Sequence, residues 1–112
     1  VEKTIFSSVN GPAGNDPFVT IDAQGRQVIA MYVTPEGYTP DRFTARKGVE
    51  TWIYAIAEED PAGCGAFMQV PVYGASNTIR KGGNWVGPFI PTEDFVVTCS
   101  MGMFRANVVV QE

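Results

Sequence analysis

One short stretch decides the fold of this chain: residues 50–57, which read ETWIYAIA. The stretch is rich in β-branched and aromatic residues, which favour extended strands. Successive side chains of a strand point to opposite faces of its sheet. The apolar residues therefore divide between both faces, with Trp52, Tyr54 and Ile56 on one and Ile53 and Ala55 on the other. This distribution predicts a central strand that is packed on both sides.

Further short strands are predicted on either side of this stretch. They cover residues 28–34, 42–46, 66–70, 76–80, 84–89, 94–99 and 105–111. Turn residues separate these strands at a spacing of roughly 8–12 residues, and no segment keeps a helical period over about ten residues. The pattern predicts an all-β fold, an antiparallel β-sandwich or barrel.

The first 26 residues are less regular than the rest. Residues 10–17 are dense in Gly, Pro, Asn and Asp, which is typical of turns, and residues 18–21 form a short apolar run. We expect residues 1–26 to be an N-terminal extension that adds one or two edge strands to the main sheet. Residues 27–112 are expected to form the main domain.

The composition excludes several classes of function. The chain has 112 residues, a net charge of −4 and no histidine, and its length predicts one domain. Without histidine there is no Ser-His-Asp triad, no Cys-His pair and no His-based zinc site, so we expect the protein not to be an enzyme. An acidic chain without a basic run is not expected to bind nucleic acid.

No apolar run approaches the roughly 20 residues that span a bilayer, and no secretory signal is visible. The chain begins at Val1 rather than at a methionine. We expect it to be a piece of a longer protein from which an anchor or a partner domain has been removed.

Soft donor atoms are concentrated near the end of the chain, where Cys99, Met101 and Met103 occupy every second position. The only other cysteine, Cys64, lies 35 residues upstream in a glycine-flanked loop. Copper(I) prefers thiolate and thioether ligands, whereas copper(II) prefers imidazole and oxygen ligands. A His-free site of this kind favours holding copper(I) over cycling between the two oxidation states.

These residues resemble the cupredoxin family over about residues 27–111. The resemblance is carried by the motifs Tyr38-Thr39-Pro40, Phe43-Thr44-Ala45-Arg46-Lys47-Gly48, Gly63-Cys64, the loop after Cys99 and a Val-rich last strand. It implies a Greek-key β-sandwich with one metal ligand after a middle strand. The other ligands are implied to lie in the loop between the last two strands.

The sequence departs from the electron-transfer cupredoxins at the ligand positions. Cys64 stands where the first histidine is expected, and Met101 or Met103 stands where the second is expected. The pattern resembles instead the His-free, membrane-anchored copper(I) chaperones of bacteria and related domains of copper-exporting ATPases. Their Cys…Cys-x-Met-x-Met site, which holds one or two copper(I) ions, corresponds to Cys64, Cys99, Met101 and Met103.

This resemblance implies a copper(I) chaperone or sequestration domain for copper resistance. Its implied partner is a copper-exporting P-type ATPase or another copper transporter. The domain would be monomeric and located at the cell membrane or in an extracytoplasmic compartment, as the soluble part of an anchored protein. Whether it is a free chaperone or a transporter domain stays open.

Other interpretations of the same residues remain. Cys64 and Cys99 also suit a structural disulfide in a metal-free binding domain, and the dithiol and disulfide states can interconvert. Met101 and Met103 also suit core packing, which is the interpretation that we favour for Met31 and Met68. An atypical cupredoxin electron carrier is a further alternative. The acidic residues 58–60 suit a solvated loop, or a docking patch for a basic partner.

Overall fold

The computed structural model describes residues 11–12 and 16–112 as a two-layer β-sandwich. The first sheet has six strands: β1 (Gly11–Pro12), β2 (Val19–Ile21), β3 (Gln27–Thr34), β4 (Gly37–Thr39), β6 (Thr51–Ala57) and β9 (Gly82–Phe89). The second sheet has five: β5 (Arg42–Arg46), β7 (Phe67–Val70), β8 (Ala75–Thr78), β10 (Phe95–Cys99) and β11 (Arg105–Gln111). Two short 3-10 turns, Gly63–Ala66 and Pro71–Tyr73, flank β7.

The strand order is β1-β2-β3-β6-β9 in the first sheet, with β4 also paired to β3, and β5-β11-β10-β7-β8 in the second. Neighbouring strands are antiparallel except for β3 with β6 and β5 with β11, which are parallel. The chain crosses from one sheet to the other at several connections, among them those on both sides of β6. The predicted all-β, Greek-key sandwich is confirmed. No helix in the described part of the chain is long and apolar enough to span a membrane.

The core lies between the two sheets and is filled by alternate residues of their strands. The first sheet contributes five fully buried residues: Ile29, Met31, Ile53, Ala55 and Val86. The second sheet contributes six that are equally buried: Phe43, Met68, Val70, Val97, Ala106 and Val108. This alternation is what a sandwich with two inward faces requires.

The outer face of β6 differs from the prediction of a strand packed on both sides. Trp52, Tyr54 and Ile56 are only half-buried, although β6 is central in its sheet as predicted. Trp85 of the neighbouring strand β9 covers part of this face, with its ring centroid 4.6 Å from that of Tyr54 and 6.1 Å from that of Trp52. The apolar residues on the second face therefore form an aromatic cluster at the surface, because no further layer covers it.

The predicted N-terminal extension is described only at residues 11–12 and 16–26, and residues 1–10 and 13–15 lie outside the described residues. β2 pairs with β3 in antiparallel register, with Val19 opposite Ile29. The side chain of Val19 is fully buried in the core of the sandwich. The described part of the extension thus packs as part of the first sheet.

A buried side chain joins the two sheets at the end opposite to the cysteines. Gln27 of β3 is fully buried. Its Nε2 donates to the carbonyl oxygen of Arg46 on β5 at 3.1 Å and to Thr51 Oγ1 at 3.0 Å, and its Oε1 accepts from the Arg46 N–H at 2.8 Å. These bonds satisfy the backbone of one sheet with a side chain of the other.

Replacing Gln27 with leucine removes these bonds and leaves polar backbone groups of Arg46 without partners. We expect Gln27→Leu to lower the free energy of unfolding by about 1–3 kcal/mol, measured by urea unfolding. The matched control is Gln111→Leu, since Gln111 is exposed, and its effect should stay within about 0.5 kcal/mol. Equal losses in both variants would show that Gln27 does not join the sheets.

Candidate metal centre

The two cysteines meet because β7 pairs with β10. In this antiparallel pair Cys99, the last residue of β10, stands opposite Met68. Cys64 lies in the 3-10 turn Gly63–Ala66 that leads into β7, so the turn folds back beside the end of β10. The Cα atoms of Cys64 and Cys99 are 5.4 Å apart, and the structure joins the two sulfur atoms as a disulfide.

Cys99 is held on every side by hydrogen bonds. Its N–H donates to the carbonyl oxygen of Phe104 at 3.2 Å, and its own carbonyl accepts from Gly102 N–H at 3.1 Å and from Gln69 Nε2 at 3.2 Å. Its Sγ accepts from the N–H of Phe104 at 3.2 Å. The side chain of Cys99 is fully buried, so this sulfur has a fixed position.

The Phe104 ring forms a wall beside the cysteine pair. It packs edge-to-face on Tyr38, with ring centroids 5.5 Å apart, and it lies so close to Gly65 that an added Cβ there would stand 3.0 Å from Phe104 Cε2. Burial raises the pKa of Tyr38 well above its usual range, so its hydroxyl stays protonated. Because glycine at position 65 has no Cβ, the Cys64 turn and the Phe104 ring can pack together.

Cys64 is more accessible than Cys99, since it is only partly buried whereas Cys99 is fully buried. A thiol or a metal ion from solution can therefore approach the pair only from the Cys64 side. The pair thus combines a fully buried cysteine with one that is partly exposed.

Met101 and Met103 lie on the same loop but point to solvent, each with 71% of its surface exposed. The loop curls at Gly102, whose φ of 74° is left-handed, a conformation that glycine adopts without strain. In an extended strand, Cys99, Met101 and Met103 would all lie on one face. Because the loop curls at Gly102, Cys99 points inward and the two methionines point outward. The structure thus brings the two cysteines together and leaves both methionines exposed beside them.

The remaining methionines occupy the core, as predicted. Met68 and Met31 are fully buried among apolar side chains. Within residues 11–12 and 16–112, no three side chains of His, Cys, Asp or Glu come together as a metal site. The candidate ligand atoms of Cys64, Cys99, Met101 and Met103 are sulfur, which suits a soft cation such as copper(I).

No protein-family model and no curated protein matches the chain. Among solved structures, a copper-binding protein in its apo form is 27% identical with a TM-score of 0.66, and the match covers 78% of this chain and 89% of that one. The metal-binding domain of the Cu(I)-exporting P-type ATPase CopA from Streptococcus pneumoniae, solved with Cu(I), is 23% identical with a TM-score of 0.67, over 79% and 88%.

Structures of amicyanin variants match more distantly, with 14% identity and a TM-score of 0.55 for one that covers 73% of this chain and 80% of its own. The chain has a cupredoxin-like fold. The matches at 23% and 14% identity support the fold alone. In this fold Cys99 ends β10 and the connection from β10 to β11 carries Met101 and Met103, in the region where the family resemblance implied that ligands lie.

Sequence reasoning missed the hydrogen-bond donors that fix the site. The N–H of Phe104 that donates to Cys99 Sγ and the amide of Gln69 that holds the Cys99 carbonyl have no sequence signature. Phe104, directly after Met103, is expected from the sequence to wall the site and shield it from water, but not to donate a hydrogen bond to Cys99. These contacts depend on how the loop closes between β10 and β11, which residue types do not determine.

The difference in burial between the cysteines predicts different reactivity after reduction. We expect iodoacetamide to alkylate Cys64 at least about tenfold faster than Cys99, because Cys99 reacts only after local opening, and an opening of about 1.4 kcal/mol already slows a reaction tenfold. Peptide mass spectrometry over time measures both rates. Denatured protein is the control and should show similar rates. Equal rates in the folded, reduced protein would contradict the described burial.

Proposed function

We propose that this cupredoxin-like domain binds copper(I) through Cys64 and Cys99 and passes it on to a copper transporter. The observation that carries the proposal is the meeting of the two cysteine sulfurs at the end of the sandwich, beside two exposed thioethers. The chain offers no imidazole, so the donor set suits copper(I) and disfavours copper(II).

Binding of the metal requires the reduced form of the site. A thiol reductant supplies two electrons: the Cys64–Cys99 bond breaks, each sulfur takes up a proton, and two reductant thiols become a disulfide. Copper(I) then displaces the thiol protons and is held as a dithiolate. The Cys99 sulfur, with the Phe104 N–H beside it, is the fixed ligand, and the Cys64 sulfur is the one that an arriving ion reaches first.

Met101 and Met103 are proposed as a weaker, accessible site for a second copper(I) ion or for an ion in transit. Thioethers carry no charge, so they hold copper(I) less tightly than thiolates do. Their exposure suits exchange with a partner, whereas a buried site would release its ion slowly. A role in copper resistance and attachment to the membrane belong to the same proposal.

The neighbours in structure support copper as the cargo. The apo copper-binding protein, at 27% identity, shares both fold and size with this chain. The CopA domain belongs to a Cu(I)-exporting ATPase, which supports a copper-exporting transporter as the partner. A binding role rather than a catalytic one is proposed, because both of these neighbours are described by the copper that they bind.

Copper(I) stoichiometry and affinity test the proposal directly. With reduced protein and a chromophoric copper(I) chelator under anaerobic conditions, we expect wild type to retain one or two ions. Cys64→Ser should weaken the tight site more than about 100-fold, since loss even of outer-shell partners costs about 10–100-fold. Met101→Ala with Met103→Ala should remove only the weaker binding. Met31→Leu, a change in the core, is the control and should bind like wild type.

The proposal fails if reduced wild type retains no copper(I) against a moderate chelator, or if Cys64→Ser binds as tightly as wild type.

A metal-free, disulfide-stabilised binding domain is the second candidate, favoured by the Cys64–Cys99 disulfide itself. Thiol counting separates the two: copper(I) should protect both thiols of the reduced protein from oxidation if the site holds the metal.

An electron carrier makes a different prediction with copper(II). Because imidazole ligands are absent, we expect added copper(II) to produce no intense blue absorption band at the site. An absorption titration of the reduced protein measures this, with the same titration of Cys99→Ser as the control. An intense blue band that is lost in Cys99→Ser would favour the electron carrier.

A further inference from the structure

A surface groove of about 820 Å³ runs next to the candidate metal centre. Its apolar lining includes Val33, Pro35, Ile56, Pro61 and Phe104. The volume is within the range of about 300–1,000 Å³ that holds drug-sized ligands. The groove therefore has room for several apolar side chains of another molecule.

The groove curves over the end of the first sheet. Tyr32 and Ile56 are neighbours in the parallel pair of β3 and β6 and belong to the outer face, whereas Val33, next in the chain, points into the core. Tyr32 is 38% exposed, so a large aromatic surface remains open to solvent at the outer end. At its inner end the groove reaches Gly65 and Phe104.

Three carboxylates line one side of the groove: Glu58, Glu59 and Asp60. All three residues are exposed, and none forms an ion pair with another residue of the described chain. Asp60 Oδ1 accepts from the backbone N–H of Lys81 at 2.7 Å, but no lysine or arginine side chain among the described residues lines the groove. The groove is thus apolar along its length and negatively charged along one side.

The groove and the candidate metal centre share a wall. Phe104 lines the groove and donates its N–H to Cys99 Sγ, and Gly65 lines it directly after Cys64 in the chain. A molecule seated in the groove therefore lies beside the accessible cysteine. Any exchange of a metal ion at the sulfurs of Cys64 and Cys99 would then take place next to the bound molecule.

We infer that this groove is the docking site for a cationic amphipathic segment of a partner protein. Its apolar lining takes the apolar face of the segment, as in helix-in-groove recognition, and Glu58, Glu59 and Asp60 attract its basic residues. Identifying the partner as the protein that gives or receives copper rests on the proposed function. Binding of such a segment does not.

A synthetic helical peptide of leucine and lysine, with the leucines on one face, is the probe. Its binding to 15N-labelled wild-type protein is followed by amide chemical-shift changes in two-dimensional NMR. We expect the changes to concentrate at residues 32–35, 56–62 and 104. A leucine and glutamate peptide of the same pattern should not bind, and a peptide of the same lysine content without an apolar face should bind more weakly.

Two charge-reversal variants separate the groove from the overall charge of the protein. Glu58→Lys with Glu59→Lys changes the groove, and Glu93→Lys with Glu112→Lys changes exposed residues elsewhere. Each pair brings the net charge of −4 to neutrality. We expect the groove pair to weaken binding of the leucine and lysine peptide at least about tenfold, because like charges now face each other, and the control pair to bind within about twofold of wild type.

Equal weakening by both pairs would overturn the inference, because it would show that net charge alone attracts the peptide. Chemical-shift changes outside the groove would overturn it as well. Copper(I) stoichiometry of the groove pair should equal that of wild type. If wild type binds the peptide at the groove but no copper(I), the docking surface stands and the proposed function fails.

Discussion

The approach of Cys64 to Cys99 is the constraint on which the functional end of this molecule depends. It follows from the antiparallel pairing of β7 with β10, which places Met68 opposite Cys99 and turns the preceding residues back toward the end of β10. A shift of this register by one residue would move the side chains of β7 to the opposite face of the sheet. Because Met68 and Val70 must stay buried in the core, they fix the register of β7, and with it the position of Cys64 beside Cys99.

The site has an unequal design, with one side fixed and the other accessible. The hydrogen bonds around Cys99 hold its backbone and its sulfur, while Cys64 lies in a short 3-10 turn and the methionine side chains extend into solvent. Such a division suits a protein that must bind a soft ion firmly and still release it. A fully enclosed site would be tighter but slower to exchange, and a fully exposed one would leave the thiols open to oxidation.

The two ends of the sandwich are held together by different kinds of contact. At one end Gln27 joins the sheets through hydrogen bonds to Arg46 of β5 and to Thr51, so the amide of this buried side chain is satisfied on both its nitrogen and its oxygen. At the other end the Phe104 ring, on the loop between β10 and β11 of the second sheet, packs against Tyr38 of the first sheet, beside the two cysteines. This second end also carries the acidic groove, so the candidate metal centre and the proposed docking surface lie side by side.

The sequence by itself determined the fold class, the cupredoxin-like pattern and a set of candidate ligands that suits a soft metal. Alternation in residues 50–57 and punctuation by Gly and Pro are local properties, and the absence of histidine is a matter of composition. Only the tertiary structure decided that Cys99 is buried while Cys64 is accessible, and that Met101 and Met103 point outward. It also decided that β6 has an exposed aromatic face. These features depend on register, on the left-handed Gly102 and on backbone hydrogen bonds from Phe104, which arise between segments distant in sequence or from the exact closure of a loop.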